Sequence, residues 1–371
     1  MNSGDVVELD AIDRQLLDTL QQAIPLVRRP FAAIAERIGI DEDVCLHRLA
    51  SLRHDRHVIR QISAIFDTKA LGYESSLVAA KVEPARLDEA AAIISQHPGV
   101  SHNYQRQAEY NLWYTLAVPP GSMLGLAGTL DVLHRESGAI ATRALPTRKL
   151  YKIGVKFSFG DNDSHDAPGF TEADRQVSAT YTIDTIDQAM IRVLQQDLPI
   201  ESQPFGRWAE QAGVSVDKLL AAAAGYLERK QMRRFAAVLH HRAAGMRANV
   251  MGVWQCDEHR ADEYGQKLAQ FDAVSHCYLR PAYDDWPYRL YTMVHAKTTD
   301  EAIAVLHDMQ RATGLAEPRA LWSVREFKKV RVRYFTGETE VWEQQHANRP
   351  HPNPLPRGEG EDGAEQSLPQ A

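Results

Sequence analysis

Apolar positions along the chain fall into two successive blocks that share one rhythm, a helical period giving way to strand-like alternation. In the first block, Ile12, Leu16, Leu17 and Leu20 recur at helical spacing behind Asp10 and Asp13. Pro30 opens a second short helix through Ala35 that stops at Gly39, and Asp41 caps a third helix carrying Val44, Leu46, Leu49 and Leu52. His57-Val58-Ile59-Arg60 and Ile62 to Phe66 read as a wing of extended chain, so residues 10–66 are expected to form a winged helix-turn-helix. The body that follows, 72–159, reads as strand 76–82, helix 86–96, strands 100–106 and 112–118, helix 123–135 and a last strand 143–155. That βαββαβ order is the ferredoxin-like plan.

The second block repeats the first. Ser101-His102-Asn103-Tyr104-Gln105-Arg106 returns as Ser275-His276-Cys277-Tyr278-Leu279-Arg280, 174 residues later. The same offset carries Asp10, Asp13, Pro30-Phe31 and Gly39 onto Asp184, Asp187, Pro204-Phe205 and Gly213. A shared offset over so long a stretch marks a tandem duplication. The fold class is therefore α+β: two copies, each a winged helix-turn-helix head (10–66, 181–242) on a ferredoxin-like body (72–159, 246–336). Residues 160–180 read as a polar linker, and 346–371, rich in Pro, Gly and Glu, as a disordered tail.

Composition narrows the class. A net charge of −7 gives no electrostatic case for nucleic acid or an anionic membrane. Cys45, Cys256 and Cys277 are scattered and form no CxxC, so neither a disulfide framework nor a zinc site is implied, and a reducing, cytoplasmic setting fits. The start, Met1 to Leu9, lacks the apolar core of a signal peptide, and no run of about 20 apolar residues offers a membrane span.

The heads raise the possibility of DNA binding, but their recognition helices argue against it. A helix in the major groove needs Arg, Lys, Asn, Gln or Ser at its start. The first copy presents Asp41-Glu42-Asp43, and the second Asp217-Lys218 followed by a run that is nearly all alanine. Residues 10–60 carry eight basic and eight acidic side chains, and 184–234 seven of each, which leaves little counterion release to drive binding. The heads are expected to pack or dimerise and not to bind DNA specifically.

The bodies carry the candidate chemistry. Alternation along a strand sends His102, Tyr104 and Arg106 to one face, and His276, Tyr278 and Arg280 likewise. A histidine, a phenol and a fixed cation suit an anionic ligand, whereas the bland reading is a polar patch at a sheet interface. Retention in both copies favours function. The adjoining segments Tyr110 to Thr115 and Trp286 to Thr292 are aromatic. Trp113, Trp286 and Tyr288 either line an apolar cavity for a flat ring or simply pack across strands. Arg148, Lys149, Arg325, Lys328 and Lys329 are either a solvated basic face or clamps for a ligand with several carboxylates.

The helical heads on ferredoxin-like bodies resemble the Lrp/AsnC regulators. Within that architecture, Ser101-His102-Asn103-Tyr104 with Tyr110-Asn111-Leu112-Trp113-Tyr114-Thr115 resembles one subunit type of sirohaem decarboxylase. Ser275-His276-Cys277-Tyr278, Trp286-Pro287-Tyr288, Leu290-Tyr291-Thr292-Met293-Val294-His295 and Arg325-Glu326-Phe327-Lys328-Lys329 resemble its partner type. The resemblance implies a pseudo-dimer fused in one chain, with a higher homo-oligomer left open. It implies removal of CO2 from two acetate side chains of sirohaem, giving 12,18-didecarboxysirohaem for alternative haem or nitrite-reductase haem biosynthesis. The partners would be sirohaem and its mono- and didecarboxylated products, with no cofactor beyond the iron-containing tetrapyrrole itself.

The chemistry of such a reaction assigns roles to the residues. Loss of CO2 leaves an electron pair that the macrocycle spreads, and a general acid must then protonate the carbon. His276 and His102 are the candidate acids, with Tyr278 and Tyr104 as orienting partners; either histidine is equally able to be an axial ligand to the substrate iron. Arg280, Arg106, Trp286, Tyr288, Trp113, Arg148, Lys149, Arg325, Lys328 and Lys329 are the expected substrate-binding set. The copies differ: Asn103 answers to Cys277, Trp286-Pro287 is an insertion, and His295 falls opposite Val118 or Pro119, making the second copy the better-equipped site. The competing readings are an Lrp/AsnC-type DNA-binding regulator and a non-catalytic haem sensor.

Overall fold

The computed structural model describes residues 9–153, 181–239 and 248–346; the expected linker and the chain beyond 346 lie outside the described residues. In chain order the first copy contributes α1 (Ala11–Gln22), α2 (Pro30–Ile38), α3 (Glu42–Ala50), β1 (Ile59–Phe66), β2 (Glu74–Lys81), α4 (Leu87–Gln96), β3 (Val100–Arg106), β4 (Leu112–Val118), α5 (Gly125–Ser137), β5 (Ala141–Pro146) and β6 (Lys149–Ile153). The second contributes α6 (Thr185–Leu194), α7 (Gly206–Ala212), α8 (Val216–Glu228), β7 (Met232–Leu239), β8 (Ala248–Trp254), α9 (Ala261–Ala269), β9 (Val274–Leu279), β10 (Leu290–Ala296), α10 (Thr299–Thr313), β11 (Arg319–Lys329) and α11 (Glu338–His346). The α+β duplicated plan holds, and the chain sorts into two compact units: both heads in one, both bodies in the other.

In the head unit, each first helix is capped by the aspartate that the sequence repeats. Asp10 accepts from the Asp13 backbone N–H at 2.8 Å, and Asp184 from that of Asp187 at 2.7 Å. Asp13 and Asp187 are themselves buried, and the copies satisfy them differently. Asp13 pairs with Arg48 at 2.9 Å and Arg56 at 2.7 Å, whereas Asp187 accepts from the hydroxyls of Tyr226 at 2.6 Å and Tyr181 at 2.9 Å. Gly39 and Gly213 end α2 and α7 with φ of +81° and +66°, a conformation that costs a side-chain-bearing residue about 1 kcal/mol or more. The segments expected as wings are single strands that pair with each other, β1 against β7 antiparallel, from Ile59–Leu239 to Phe66–Met232.

In the body unit, nine strands form one sheet in the order β5-β2-β4-β3-β11-β8-β10-β9-β6. The copies exchange their last strands. The first half of β11 pairs with β8 of its own copy and the second half with β3 of the other. In the first copy that double duty is split: β5 pairs with β2, and β6 crosses to β9. Because β5 and β6 are separated only by Thr147-Arg148, the two ends of the strand order are held together and the sheet curls. Its outer face is covered by α4 and α5 over Val78, Ala80, Leu112, Tyr114 and Leu116, and by α9 and α10 over Val250, Trp254, Leu290 and Val294. Its inner face gathers Ala79, Tyr110, Trp113 and Leu145 of one copy with Met251, Val253, Trp286, Tyr291 and Leu321 of the other. Helix α11, which the sequence pattern did not announce, lays Trp342 into the first-copy core.

Candidate active site

Both repeated histidines sit at β-bulges. Along β3 the register runs Val100–Leu116 then His102–Thr115, and along β9 Val274–Val294 then His276–Met293, so Ser101 and Ser275 are the extra residues. A bulge breaks strict alternation and re-aims the side chains around it. Here it lets each serine reach the histidine next to it: Ser101 Oγ lies 3.0 Å from His102 Nδ1, and Ser275 Oγ 2.7 Å from His276 Nδ1. After the bulge alternation resumes. Asn103 turns outward to donate to Ala91 O and Ser95 Oγ, both at 3.1 Å, and Cys277 outward to Gly265 O at 3.5 Å. His102, Tyr104 and Arg106 therefore face inward, as do His276, Tyr278 and Arg280. The rings stack in each copy, with centroids 6.1 Å apart for His102–Tyr104 and 6.0 Å for His276–Tyr278.

The arginines that end these motifs are not surface clamps. Arg106 and Arg280 are only 6% and 8% exposed. Each crosses to the other copy: Arg106 Nη1 donates to Leu321 O at 2.7 Å, and Arg280 Nη1 donates to Leu145 O at 2.5 Å. Each Nε is buried with no hydrogen-bond partner, and among the described residues no carboxylate pairs with either guanidinium. Burial lowers both, Arg106 to about 10. Aromatic faces supply what compensation there is, with Arg280 4.7 Å from the Tyr278 centroid and Arg106 5.9 Å from that of Tyr104.

The expected aromatic lining is mostly core. Trp113 and Trp286 are each 1% exposed, with centroids 5.4 Å apart at the meeting of the two copies. Their indole N–H groups are satisfied internally, by Tyr110 O and by the Tyr291 hydroxyl. Only Tyr288 of the three is half-exposed. The insertion that carries Trp286 also carries Asp285, which accepts two bonds from Arg143, at 3.0 and 2.6 Å, and one from Tyr110 at 2.8 Å. Arg143 holds the Asp285 carboxyl below its ordinary value.

The basic strands divide by face. Arg325 pairs with Asp88 of α4 at 2.6 Å, and Lys328 donates to Ser95 O and His97 O at the end of that helix. Lys149 pairs with Asp262 of α9 at 2.6 Å, and Arg148 with Glu258 at 3.2 Å. Arg325, Lys328 and Lys149 thus belong to the helix-covered face, away from the histidines, opposite Gln105, Asn103 and Leu279. Lys329 alone of the set lies across from His102, with Glu326 across from Tyr104.

His295 enters the sequence reading only within a resembling motif and as a difference between the copies, and Asn249 not at all. His295 Nε2 lies 2.7 Å from Ser275 Oγ, and its Nδ1 lies 2.5 Å from Asn249 Oδ1. The second copy therefore holds a chain, Asn249–His295–Ser275–His276. The register places Ser75 opposite Ala117, as Asn249 is opposite His295, so the first-copy counterparts are Ser75 and Ala117, not Val118 or Pro119. The misassignment came from the four-residue insertion before β10. Among the described residues no cluster of three or more His, Cys, Asp or Glu side chains is arranged to hold a metal ion.

Fold and site together define a fused pair of AsnC-like domains. Residues 70–152 and 243–328 match the family model for the AsnC-like ligand binding domain, and residues 13–60 and 187–233 match that of the "Siroheme decarboxylase NirDL-like HTH domain". The chain belongs to the sirohaem decarboxylase family. It is 36% identical over 329 residues to a "Siroheme decarboxylase" of Hydrogenobacter thermophilus, covering 88% of this chain and 96% of that one. It is 40% identical over 163 residues to the "Siroheme decarboxylase alpha subunit" of Desulfovibrio desulfuricans, which spans 44% of this chain and 91% of that subunit, about one copy. Among solved structures, that of "the siroheme decarboxylase NirDL in co-complex with iron-uroporphyrin III analogue" superposes with a TM-score of 0.72 at 30% identity, covering 90% of this chain and 97% of that one.

Proposed function

We propose that this protein is a carboxy-lyase that removes CO2 from two acetate side chains of sirohaem, giving didecarboxysirohaem for haem biosynthesis. The observation that carries the reading is the pair of serine-oriented histidines on the inner face, within a chain that aligns almost end to end with a named sirohaem decarboxylase. The solved relative in co-complex with an iron-uroporphyrin III analogue supports a tetrapyrrole as ligand.

The residues fit the chemistry. When a C–C bond to a carboxylate breaks, the electron pair passes into the conjugated macrocycle, and His276 or His102 delivers the proton that makes a methyl group. The serine hydroxyl on Nδ1 fixes each imidazole so that Nε2 is the atom turned to substrate. Tyr278 and Tyr104 stack beside the rings and hold their planes. Arg106 and Arg280 act as buried positive charge beneath the site and attract the substrate carboxylates through a poorly screened medium. Tyr288 and Lys329 complete the binding face, and the substrate's own ring is the electron sink, so no further cofactor enters.

The heads serve as packing modules in this reading. Arg28 is engaged by Asp217 at 3.0 and 2.6 Å, and Arg29 by Glu42, at the very starts of the two recognition helices. No helix of the described residues is long and apolar enough to cross a membrane. The three cysteines are unpaired, in keeping with a reducing, cytoplasmic setting. The test is anaerobic incubation with sirohaem followed by mass spectrometry. Loss of two CO2 per macrocycle is expected; bound but unchanged sirohaem would instead make the protein a sensor.

A further inference from the structure

The chain Asn249–His295–Ser275–His276 exists in one copy only, and it has the geometry of a proton relay. Ser275 Oγ stands 2.7 Å from both His276 Nδ1 and His295 Nε2, with a weaker contact to Met293 O at 3.4 Å. Asn249 Oδ1, 2.5 Å from His295 Nδ1, is an acceptor and so requires the hydrogen on Nδ1. Any second proton on His295 must then sit on Nε2, pointing at the serine. The bulge makes this possible, because Ser275 would otherwise face the helices with Cys277. In the first copy the bulged Ser101 also meets its histidine, but Ala117 stands where the second histidine would be.

We propose that His295 is the proton reserve of the second-copy site, resupplying His276 through the Ser275 hydroxyl. The inference rests on the decarboxylase reading. The bond between the substrate methylene and its carboxylate breaks, CO2 leaves, and the electron pair stays on carbon. His276 Nε2–H gives its proton to that carbon. The Ser275 hydroxyl proton passes to His276 Nδ1, so that no imidazolate forms, and the Nε2 proton of the His295 imidazolium passes to Ser275. His295 ends neutral with its remaining proton on Nδ1, held by Asn249, and His276 ends with its proton on Nδ1. The site resets when solvent protonates His276 Nε2 and the Nδ1 proton returns through Ser275 to His295 Nε2. His295 is thus a positioning residue that acts through His276 and touches no reacting atom. In the first copy Ala117 gives Ser101 no second imidazole to draw on at that position.

The experiment is single-turnover and steady-state kinetics of sirohaem decarboxylation by the full chain. His295→Ala is expected to lower kcat at least about tenfold, less than the ~10²–10⁴ lost with the acid itself, and to leave KM within twofold. Added imidazole should restore much of the loss, which a structural defect would not allow. Ser275→Ala cuts the same link without altering His295, and the double variant should be no slower than the slower single one, because both break one chain. The idea is overturned by turnover of His295→Ala within twofold of wild type. It is equally overturned by a loss that imidazole does not restore, or by additive losses in the double variant. Wild-type chain that binds but does not decarboxylate sirohaem would sink the functional reading instead, a different outcome from wild-type turnover with an unaffected His295→Ala.

Discussion

The first-copy and second-copy histidines stand on the same strand, at the same bulge, beside the same serine and tyrosine, yet they are not equivalent. His276 is backed by His295 and Asn249, and its strand runs into an insertion whose Asp285 ties Arg143 and Tyr110 of the other copy. His102 is backed by Ala117 and faces Lys329 and Glu326, lent by β11. Strand exchange means that neither site is built from one copy. A duplicated fold can thus keep two matching frames while dividing the surrounding chemistry between them, because residues that hold the bulge are constrained by the backbone and those behind it are not.

The largest effect expected from breaking this comparison is at the proposed acids. His276→Ala should slow CO2 loss by about 10²–10⁴, which is the contribution of a positioned general acid. His102→Ala shows whether the division is one of labour or of rank. If both copies react, each variant accumulates a monodecarboxylated product, read by mass spectrometry. If the second copy performs both losses, His276→Ala alone blocks them. Wild-type rates in His276→Ala would leave the repeated motif structural.

Next is stability. Trp342 of α11 packs into the first-copy core, and the buried Glu343 accepts from the N–H groups of Met123 and Leu124 at the start of α5. Trp342→Ala is expected to destabilise the bodies by about 3–5 kcal/mol. Denaturant unfolding measures it, and a loss below ~1 kcal/mol would show α11 to be dispensable.

A smaller change is expected at the crossing arginines. Arg106→Met and Arg280→Met replace buried cations that lack a carboxylate partner, so folding should change by roughly 1–3 kcal/mol of either sign. The KM for sirohaem should rise with little change in kcat, because the charge attracts ground and transition states alike. A fall in kcat at constant KM would place these groups in the chemistry.

The smallest effect separates the copies by pH. His97 is buried against Trp342, with Nδ1 accepting from Gly99 N–H at 2.9 Å, and burial first, then Lys328 and His346, pushes it down to about 3. Its second-copy counterpart is Phe271. The folded value lies below the unfolded value of about 6.5. The unfolded chain therefore binds the extra proton between these values, and the stability held above pH ~6.5 is lost as pH falls toward 3. The slope is at most about 1.4 kcal/mol per pH unit. His97→Phe should remove that part of the slope in urea titrations at pH 5 and 7; an unchanged slope would mean His97 does not carry it.

Much of the molecule was legible in the chain. Not every cap was: the one expected at Asp41 makes no side-chain bond, and Asp10 and Asp184 do the capping instead. The repeat, the Gly39 and Gly213 stops and the βαββαβ order are local or periodic signals, and a duplication states each one twice. The histidine and tyrosine of each candidate site were legible for the same reason. The clamp set was not. Arg325, Lys328 and Lys149 read as clamps because a basic run on a last strand carries no information about its register; pairing opposite Gln105, Asn103 and Leu279 turns them to the helices. Trp113 and Trp286 read as cavity lining because nothing in the sequence says that the two inner faces meet.

By itself, the sequence determined the duplication, the order of most elements and the pair of histidines at which to look for chemistry, since those follow from periodicity, helix stops and a repeated motif. Only the tertiary structure decided that the copies exchange strands, that Arg106 and Arg280 are buried crossing residues, and that His295 stands behind Ser275. Those facts depend on register between strands far apart in the chain, and a shift of one residue, invisible to any local pattern, moves a side chain to the other face.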